Sequence, residues 1–271
     1  MNIPSLIFGT FQYKDKNELS TIIRSAYENG IIGFDTSPSY QTEEMLGDGL
    51  SSLMNKDDLK REDLFLQDKI DGWQMEFSKG KITSFVEKSL SKLKTDYLDV
   101  LFVHWPFPEF LNETWITMNE LKEKGMIHYV GLSNVRVRHL AKIKDETGIL
   151  PDVIQIERHP LRICQDEVDY CKKYKIALEA YSPLCRMDER LLKSDVLQNI
   201  AKKYEKNIGQ VILRWHLDTG AKPVFMSKKK KRIGENCNLF DFSLNYEEIK
   251  EINNLNINFK IFVESVCCPG F

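Results

Sequence analysis

Several things are scarce in this chain of 271 residues. It has no charge excess, since 38 Lys and Arg against 40 Asp and Glu leave a net charge of −2. No global field therefore draws it onto nucleic acid or an anionic membrane. No apolar run reaches membrane-spanning length, and Met1 to Thr10 has neither the basic start nor the apolar stretch of a leader. Cysteine is confined to Cys164, Cys171, Cys185, Cys237, Cys267 and Cys268. None forms a Cys-x-x-Cys pair and no second cluster supplies metal spacing, so the expectation is free thiols in a reducing, cytoplasmic compartment, with no metal. No role attaches to Cys267 or Cys268. A linker rich in Pro, Gly or Ser and an internal repeat are both missing, and the only low-complexity element is the basic run Lys228 to Arg232.

What is present is enough apolar material for a sizeable core: 42% hydrophobic and 11% aromatic residues exclude a disordered chain. At about 150 residues per domain the length corresponds to roughly 1.8 domains. Short apolar runs alternate with amphipathic stretches from end to end. Strands are expected at Leu6–Thr10, Gly33–Ser37, Leu64–Ile70, Leu98–His104, His128–Ser133, Val153–Glu157, Ile176–Tyr181 and Lys222–Met226. Most are unbroken apolar runs, the pattern of parallel strands buried on both faces. Between them Leu19–Glu28, Ile82–Leu93 and Asp195–Tyr204 carry apolar residues at helical spacing. Eight strand-helix alternations without a linker predict one (β/α)8 TIM barrel over residues 1–271. An open doubly wound sheet holding a nucleotide would carry Gly-x-Gly-x-x-Gly after its first strand. Thr10-Phe11-Gln12 stands there instead.

In such a barrel the chemistry sits at the C-terminal ends of the strands. Strand two ends on Asp35, strand three carries Lys69 and strand four runs into His104, so an acid, an amine and an imidazole converge on one mouth, with Tyr40 in the loop after Asp35. A lone Asp or His at a strand end commonly does no more than cap a loop. Four titratable groups at one mouth are harder to assign to structure, because burying an unpaired Lys or Asp costs several kcal/mol. A tyrosine hydroxyl near pKa ~10 is a weak acid at neutral pH. A neighbouring ammonium favours the phenolate, and an aspartate fixes that ammonium in place. A neutral imidazole alongside would orient a carbonyl oxygen. This set can protonate an oxygen as hydride reaches its carbon, but it cannot supply the hydride, so a cofactor must.

These stretches resemble the aldo-keto reductase family along nearly the whole chain. The resemblance rests on Gly9-Thr10-Phe11, Asp35-Thr36-Ser37 with Tyr40, Glu43 with Leu46-Gly47, and Thr95-Asp96-Tyr97-Leu98-Asp99. It continues through His104-Trp105-Pro106, Gly131-Leu132-Ser133-Asn134, Gln155-Ile156-Glu157 with His159-Pro160, and Tyr181-Ser182-Pro183-Leu184. Gln210 with Leu213-Arg214-Trp215, then Arg232-Ile233 with Glu235-Asn236, complete the order. The resemblance implies a (β/α)8 barrel and a catalytic set of Asp35, Tyr40, Lys69 and His104, with Tyr40 as proton donor. It implies that Ser133, Asn134 and Gln155 hold a nicotinamide carboxamide, that Tyr181 stacks beneath the ring and that Ser182, Pro183 and Leu184 follow the pyrophosphate. It further implies that Ser227, Arg232, Glu235 and Asn236 take the adenosine-phosphate end, and that Thr10, Phe11 and Asp35 also approach the cofactor. Phe11, Trp73, His104 and Trp105 line the substrate site.

Three departures accompany the resemblance. The chain starts almost at strand one, so the family's N-terminal hairpin is expected to be reduced or absent. The segment after His104 and the tail from Asn256 are short, which predicts an open pocket. Met226 stands where a lysine usually precedes the serine after strand eight. The resulting expectation is a cytoplasmic reductase of a small aldehyde or ketone that uses NADPH in preference to NADH, as a monomer or weak homo-oligomer, with no nucleic-acid or membrane partner. Two other readings use the same residues: a Schiff-base aldolase working through Lys69, and a non-catalytic nucleotide-binding sensor or subunit.

Overall fold

The computed structural model describes residues 2–77 and 79–263; Cys267 and Cys268 lie outside the described residues. Eight parallel strands, β1 (Ile7–Gly9), β2 (Gly33–Asp35), β3 (Phe65–Ile70), β4 (Leu98–Val103), β5 (Ile127–Ser133), β6 (Val153–Glu157), β7 (Ala177–Tyr181) and β8 (Ala221–Phe225), pair in sequence order and close on β1. The helices are α1 (Lys16–Glu28), α2 (Glu43–Asp57), α3 (Gly72–Met75), α4 (Lys79–Leu93), α5 (Leu111–Glu123), α6 (Val137–Thr147), α7 (Gln165–Tyr174), α8 (Glu189–Leu192), α9 (Asp195–Lys203), α10 (Ile208–Asp218), α11 (Lys230–Cys237) and α12 (Tyr246–Asn253). All eight expected strands are present, displaced at their ends by no more than two residues. Helix α1 begins three residues earlier than the apolar spacing indicates, because Asp15 caps it by accepting from the Glu18 N–H at 2.7 Å.

Alternate strand residues separate two cores. Phe8, Phe34, Leu66, Leu101, Leu132 and Ile154 pack outward under the helices. Ile7, Phe65, Val100, Phe102, Val153 and Val224 fill the barrel interior, joined by Ile3 from the segment before β1. Residues 2–6 form no strand, and Ile3 is buried among these side chains. The Phe102 ring fits only because its β5 neighbour is Gly131, where a Cβ would lie 2.4 Å from the ring. No described helix is long and apolar enough to cross a membrane, and the described cysteines, Cys164, Cys171, Cys185 and Cys237, are free thiols.

Candidate active site

Strand periodicity turns every second residue into the barrel. On β2 and β3 this brings Asp35, Gln67 and Lys69 to one interior face. The Lys69 ammonium donates to both Asp35 carboxylate oxygens at 2.7 Å and to the Thr36 carbonyl at 2.8 Å. Both side chains are buried. Burial alone would lower the Lys69 pKa, but Asp35 and the Tyr40 hydroxyl more than offset it, and the amine is held above the ordinary lysine range. Lys69 thus stays protonated.

Tyr40 ends a single 3-10 turn, Pro38–Tyr40, and its ring packs against Phe11 at 5.0 Å between centroids. The Lys69 Nζ lies 5.0 Å from the ring centre. His104, just beyond β4, presents Nε2 3.5 Å from the Tyr40 hydroxyl. The four expected residues therefore do meet at one mouth. Lys69 lowers the Tyr40 hydroxyl as expected, but burial outweighs it. Burial raises the hydroxyl first and most, Lys69 pulls it down, Asp35 and Asp71 push it up, and the result is about 12. The bound Asp35 cancels part of the lysine's field, so the pull is present but outweighed.

The mouth opens into a cavity of about 1310 Å³. Phe11, Asp35, Tyr40, His104 and Trp105 line its inner end. Beside them stand Ser133, Asn134 and Gln155, with Tyr181 across from Asn134. These are fixed among themselves: Ser133 donates to the Gln155 carbonyl at 2.9 Å, Asn134 to the His104 carbonyl at 2.8 Å, and the Tyr181 hydroxyl to Asn134 Oδ1 at 2.6 Å. The cavity then follows Ser182, Pro183 and Leu184 to a far end at Ser227, Arg232, Glu235 and Asn236. Of the basic run, Lys228, Lys229 and Arg232 reach the cavity, whereas Lys230 and Lys231 do not, Lys231 lying 3.8 Å from Glu235 on the helix surface.

Two expected residues are placed elsewhere. Thr10 is fully buried off the cavity, its hydroxyl donating to the Asp35 carbonyl and meeting Thr42 at 2.8 Å, because the main chain of β1 turns it outward. Trp73, on α3, is 54% exposed, packs edge-on against Phe85 of α4 at 5.2 Å and does not line the cavity. Lys69 acts from behind Tyr40 and contributes no surface to the cavity.

Four residues that the sequence reading passed over belong here. Asp71 accepts from His104 Nδ1. Gln67 and Glu179 form, with Gln155 and Asp35, a buried ring in which each glutamine amide donates to Asp35 Oδ2 and to Glu179 Oε2 at 2.8–3.0 Å. Phe262 lines the cavity against Tyr181, 5.7 Å between centroids, because Glu157 at the end of β6 accepts from the Ile261 and Phe262 N–H groups. The tail thus adds a wall that its shortness did not suggest. Gln67 and Glu179 were available to reasoning, since each stands two positions from Lys69 or Tyr181 on the same strand face. Phe262 was not, because its place depends on the path of the tail.

Glu179 is fully buried, and burial raises its carboxyl first, with Gln155, Gln67 and Lys69 pulling down and Asp35 pushing up, to about 7 against an ordinary 4.5. Its Oε1 and the Gln67 Oε1 have no hydrogen-bond partner. A raised carboxylate contributes stability that is complete below 4.5 and is lost as pH rises through 7, about 3 kcal/mol in all. Glu179→Gln should therefore match the parent near pH 5 and exceed it by about 3 kcal/mol at pH 8 in denaturant unfolding. Parallel stabilities at both pH values would show that the carboxyl ionises without penalty.

Known proteins resemble this chain along most of its length. Residues 5–257 match the model of the aldo/keto reductase family. Glyoxal reductase of Bacillus subtilis is 37% identical over 257 residues, covering 94% of this chain and 90% of that protein. Methylglyoxal reductase DkgA of Escherichia coli O157:H7 is 34% identical, with the same coverage of each chain. Among solved structures, the Bombyx mori aldo-keto reductase AKR2E4 in complex with NADP superposes with a TM-score of 0.90 at 29% identity, over 97% of this chain and 92% of that one.

Proposed function

Since the chain belongs to the aldo/keto reductase family, we propose that the mouth formed by Tyr40, His104, Lys69 and Asp35 reduces the carbonyl of a small aldehyde or ketone, with 2-oxoaldehydes as the first class to test. The chain is an NADPH-dependent oxidoreductase; the reduced nicotinamide, when bound, supplies the hydride. One observation carries the assignment of roles: a buried lysine-aspartate pair stands directly behind a tyrosine hydroxyl that faces the cavity. As negative charge develops on the carbonyl oxygen, Tyr40 gives up its proton there, and the fixed Lys69 charge stabilises the phenolate that remains. Phe11 and Trp105 exclude water on either side. The relatives named for glyoxal and methylglyoxal reduction support the choice of small dicarbonyls.

The cavity suits the cofactor. It exceeds the ~300–1,000 Å³ of ordinary small-ligand sites, has amide and hydroxyl groups at Ser133, Asn134 and Gln155 beside Tyr40, and is basic at the opposite end. A Schiff-base role for Lys69 is disfavoured by its ion pair and by its absence from the cavity wall. The sensor reading has no support in relatives that are named as reductases.

Met226 removes one cation from the phosphate end, and a charge-assisted contact is worth about 1.5–3 kcal/mol. Lys228, Lys229 and Arg232 replace it, grouped around the start of α11 where uncompensated N–H groups already favour an anion. Fluorescence titration should give NADPH tighter than NADH, with a preference that shrinks in high salt and falls about tenfold or more in Arg232→Ala. Equal affinities in the parent would remove the basic cluster from cofactor choice. Oxidation of NADPH with methylglyoxal, followed by absorbance, tests the reaction, and a panel of aldehydes and ketones that all fail to turn over would overturn it.

A further inference from the structure

Asp71 lies outside every stretch that carries the family resemblance, yet it makes the closest contact at the mouth, 2.5 Å from its Oδ1 to His104 Nδ1. It is only 4% exposed and is held from three directions. Ser37 Oγ donates to it at 3.1 Å, the Ser39 N–H at 2.7 Å and Ser39 Oγ at 3.1 Å. Behind it, the Asp71 main chain is clamped by Gln74, whose side chain accepts from the Asp71 N–H at 2.8 Å. The next residue is Gly72, where a Cβ would fall 2.2 Å from the Phe107 ring, so the loop after β3 is pressed onto the loop after His104. Burial tends to raise the Asp71 carboxyl, but His104, Ser39 and Ser37 together hold it below the ordinary range.

A carboxylate only accepts hydrogen bonds, so the proton between these two groups sits on Nδ1. A neutral ring then carries its lone pair on Nε2, the atom facing Tyr40. We propose that Asp71 is a positioning residue for the reduction: its contact with Nδ1 fixes the His104 tautomer, so that the neutral ring accepts from the Tyr40 hydroxyl and only the doubly protonated ring donates to the substrate oxygen. The inference deepens the proposed carbonyl reduction and rests on it. With His104 neutral, the single Tyr40 proton is divided between Nε2 and the carbonyl oxygen, whereas the ring protonated beside the Asp71 carboxylate leaves Tyr40 Oη–H to the carbonyl oxygen and adds His104 Nε2–H as a second donor. In either state the hydride goes to carbon and the transferred proton comes from Tyr40. His104 keeps its protons and orients the oxygen.

The ring nitrogens report this directly. The chain has five histidines, and His104→Gln identifies the His104 signals in a ¹⁵N spectrum. In the parent enzyme Nδ1 should remain protonated throughout a pH titration while Nε2 becomes the lone-pair nitrogen. Asp71→Asn should shift the neutral ring toward the Nε2–H form and remove the carboxylate that stabilises the doubly protonated ring, so that a weaker neutral donor replaces the charged one and kcat falls about tenfold or more, a share of the ~10²–10⁴-fold supplied by positioned proton donors, with KM changed less than about twofold. Asp71→Glu, which keeps a carboxylate, should retain the Nδ1–H signal and recover part of kcat. A neutral parent ring protonated on Nε2 overturns the inference without any variant, as does a folded Asp71→Asn with unchanged kcat. If no carbonyl turns over, the reductase assignment of the site falls instead, and the tautomer stands as measured.

Discussion

Tyr40→Phe should lower kcat by about 10²–10⁴-fold, the usual contribution of a positioned general acid, while leaving NADPH affinity within about threefold of the parent. The reasoning starts from what the substitution removes. The ring keeps its packing on Phe11 and its place over Lys69, so the wall of the cavity is unchanged. Only the hydroxyl is lost, and its proton moves only as charge builds on the substrate oxygen, so the loss belongs to the transition state and appears in kcat. The high position of the free-enzyme hydroxyl, about 12, adds a sign: the acid form is the populated one at neutral pH, so the parent's rate should hold on the alkaline side until Tyr40 ionises. Single-turnover NADPH oxidation separates chemistry from binding. A variant that keeps more than about a tenth of the parental rate would pass the acid role to another group.

Lys69→Met should be inactive to a similar degree and, unlike Tyr40→Phe, should also destabilise the fold. Removing one member of a buried ion pair leaves the other unpaired, at a cost of about 3–5 kcal/mol. Here the stranded group is Asp35, which would retain only the Gln67 and Gln155 amides. Adding Asp35→Asn takes away the orphaned charge, so the double variant should regain most of the stability and none of the activity. Denaturant unfolding of the two single variants and the double, assayed alongside turnover, separates the two roles. If the double variant turns over substrate, Lys69 is a packing residue; if Lys69→Met alone is as stable as the parent, the pair is not an ion pair in solution.

Much of this was legible in the sequence, for identifiable reasons. Short, mostly apolar runs such as Leu98–Val103 and Val153–Glu157 fit strands covered on both sides, and eight such segments define the barrel. The same register puts Asp35, Lys69 and His104 at one end, so their convergence followed from strand order. The misplacements have physical causes. Thr10 is one residue out of phase with the interior face. Trp73 sits on a helix just past the mouth, where no strand periodicity constrains direction, and the nearby Phe85 gives it an apolar partner. The balance that raises Tyr40 depends on how much of Lys69's charge is spent on Asp35, a matter of distances that no spacing rule contains. Asp71 was hidden differently: a carboxylate after a strand reads as a loop residue until His104, at the end of the next strand, is seen against it.

The burial of Ile3 in the barrel interior has a practical side. Ile3 enters with Ile7, at the end where β1 starts, while Tyr40, His104 and the tail residue Phe262 border the opening at the other end. Immobilised on a bead or an electrode through the beginning of the chain, the protein would stand with its opening turned to the bulk liquid. A tether fixed at Phe262 would instead pull on the wall beside Tyr181 and on its Glu157 anchor. The handle belongs at the N-terminus.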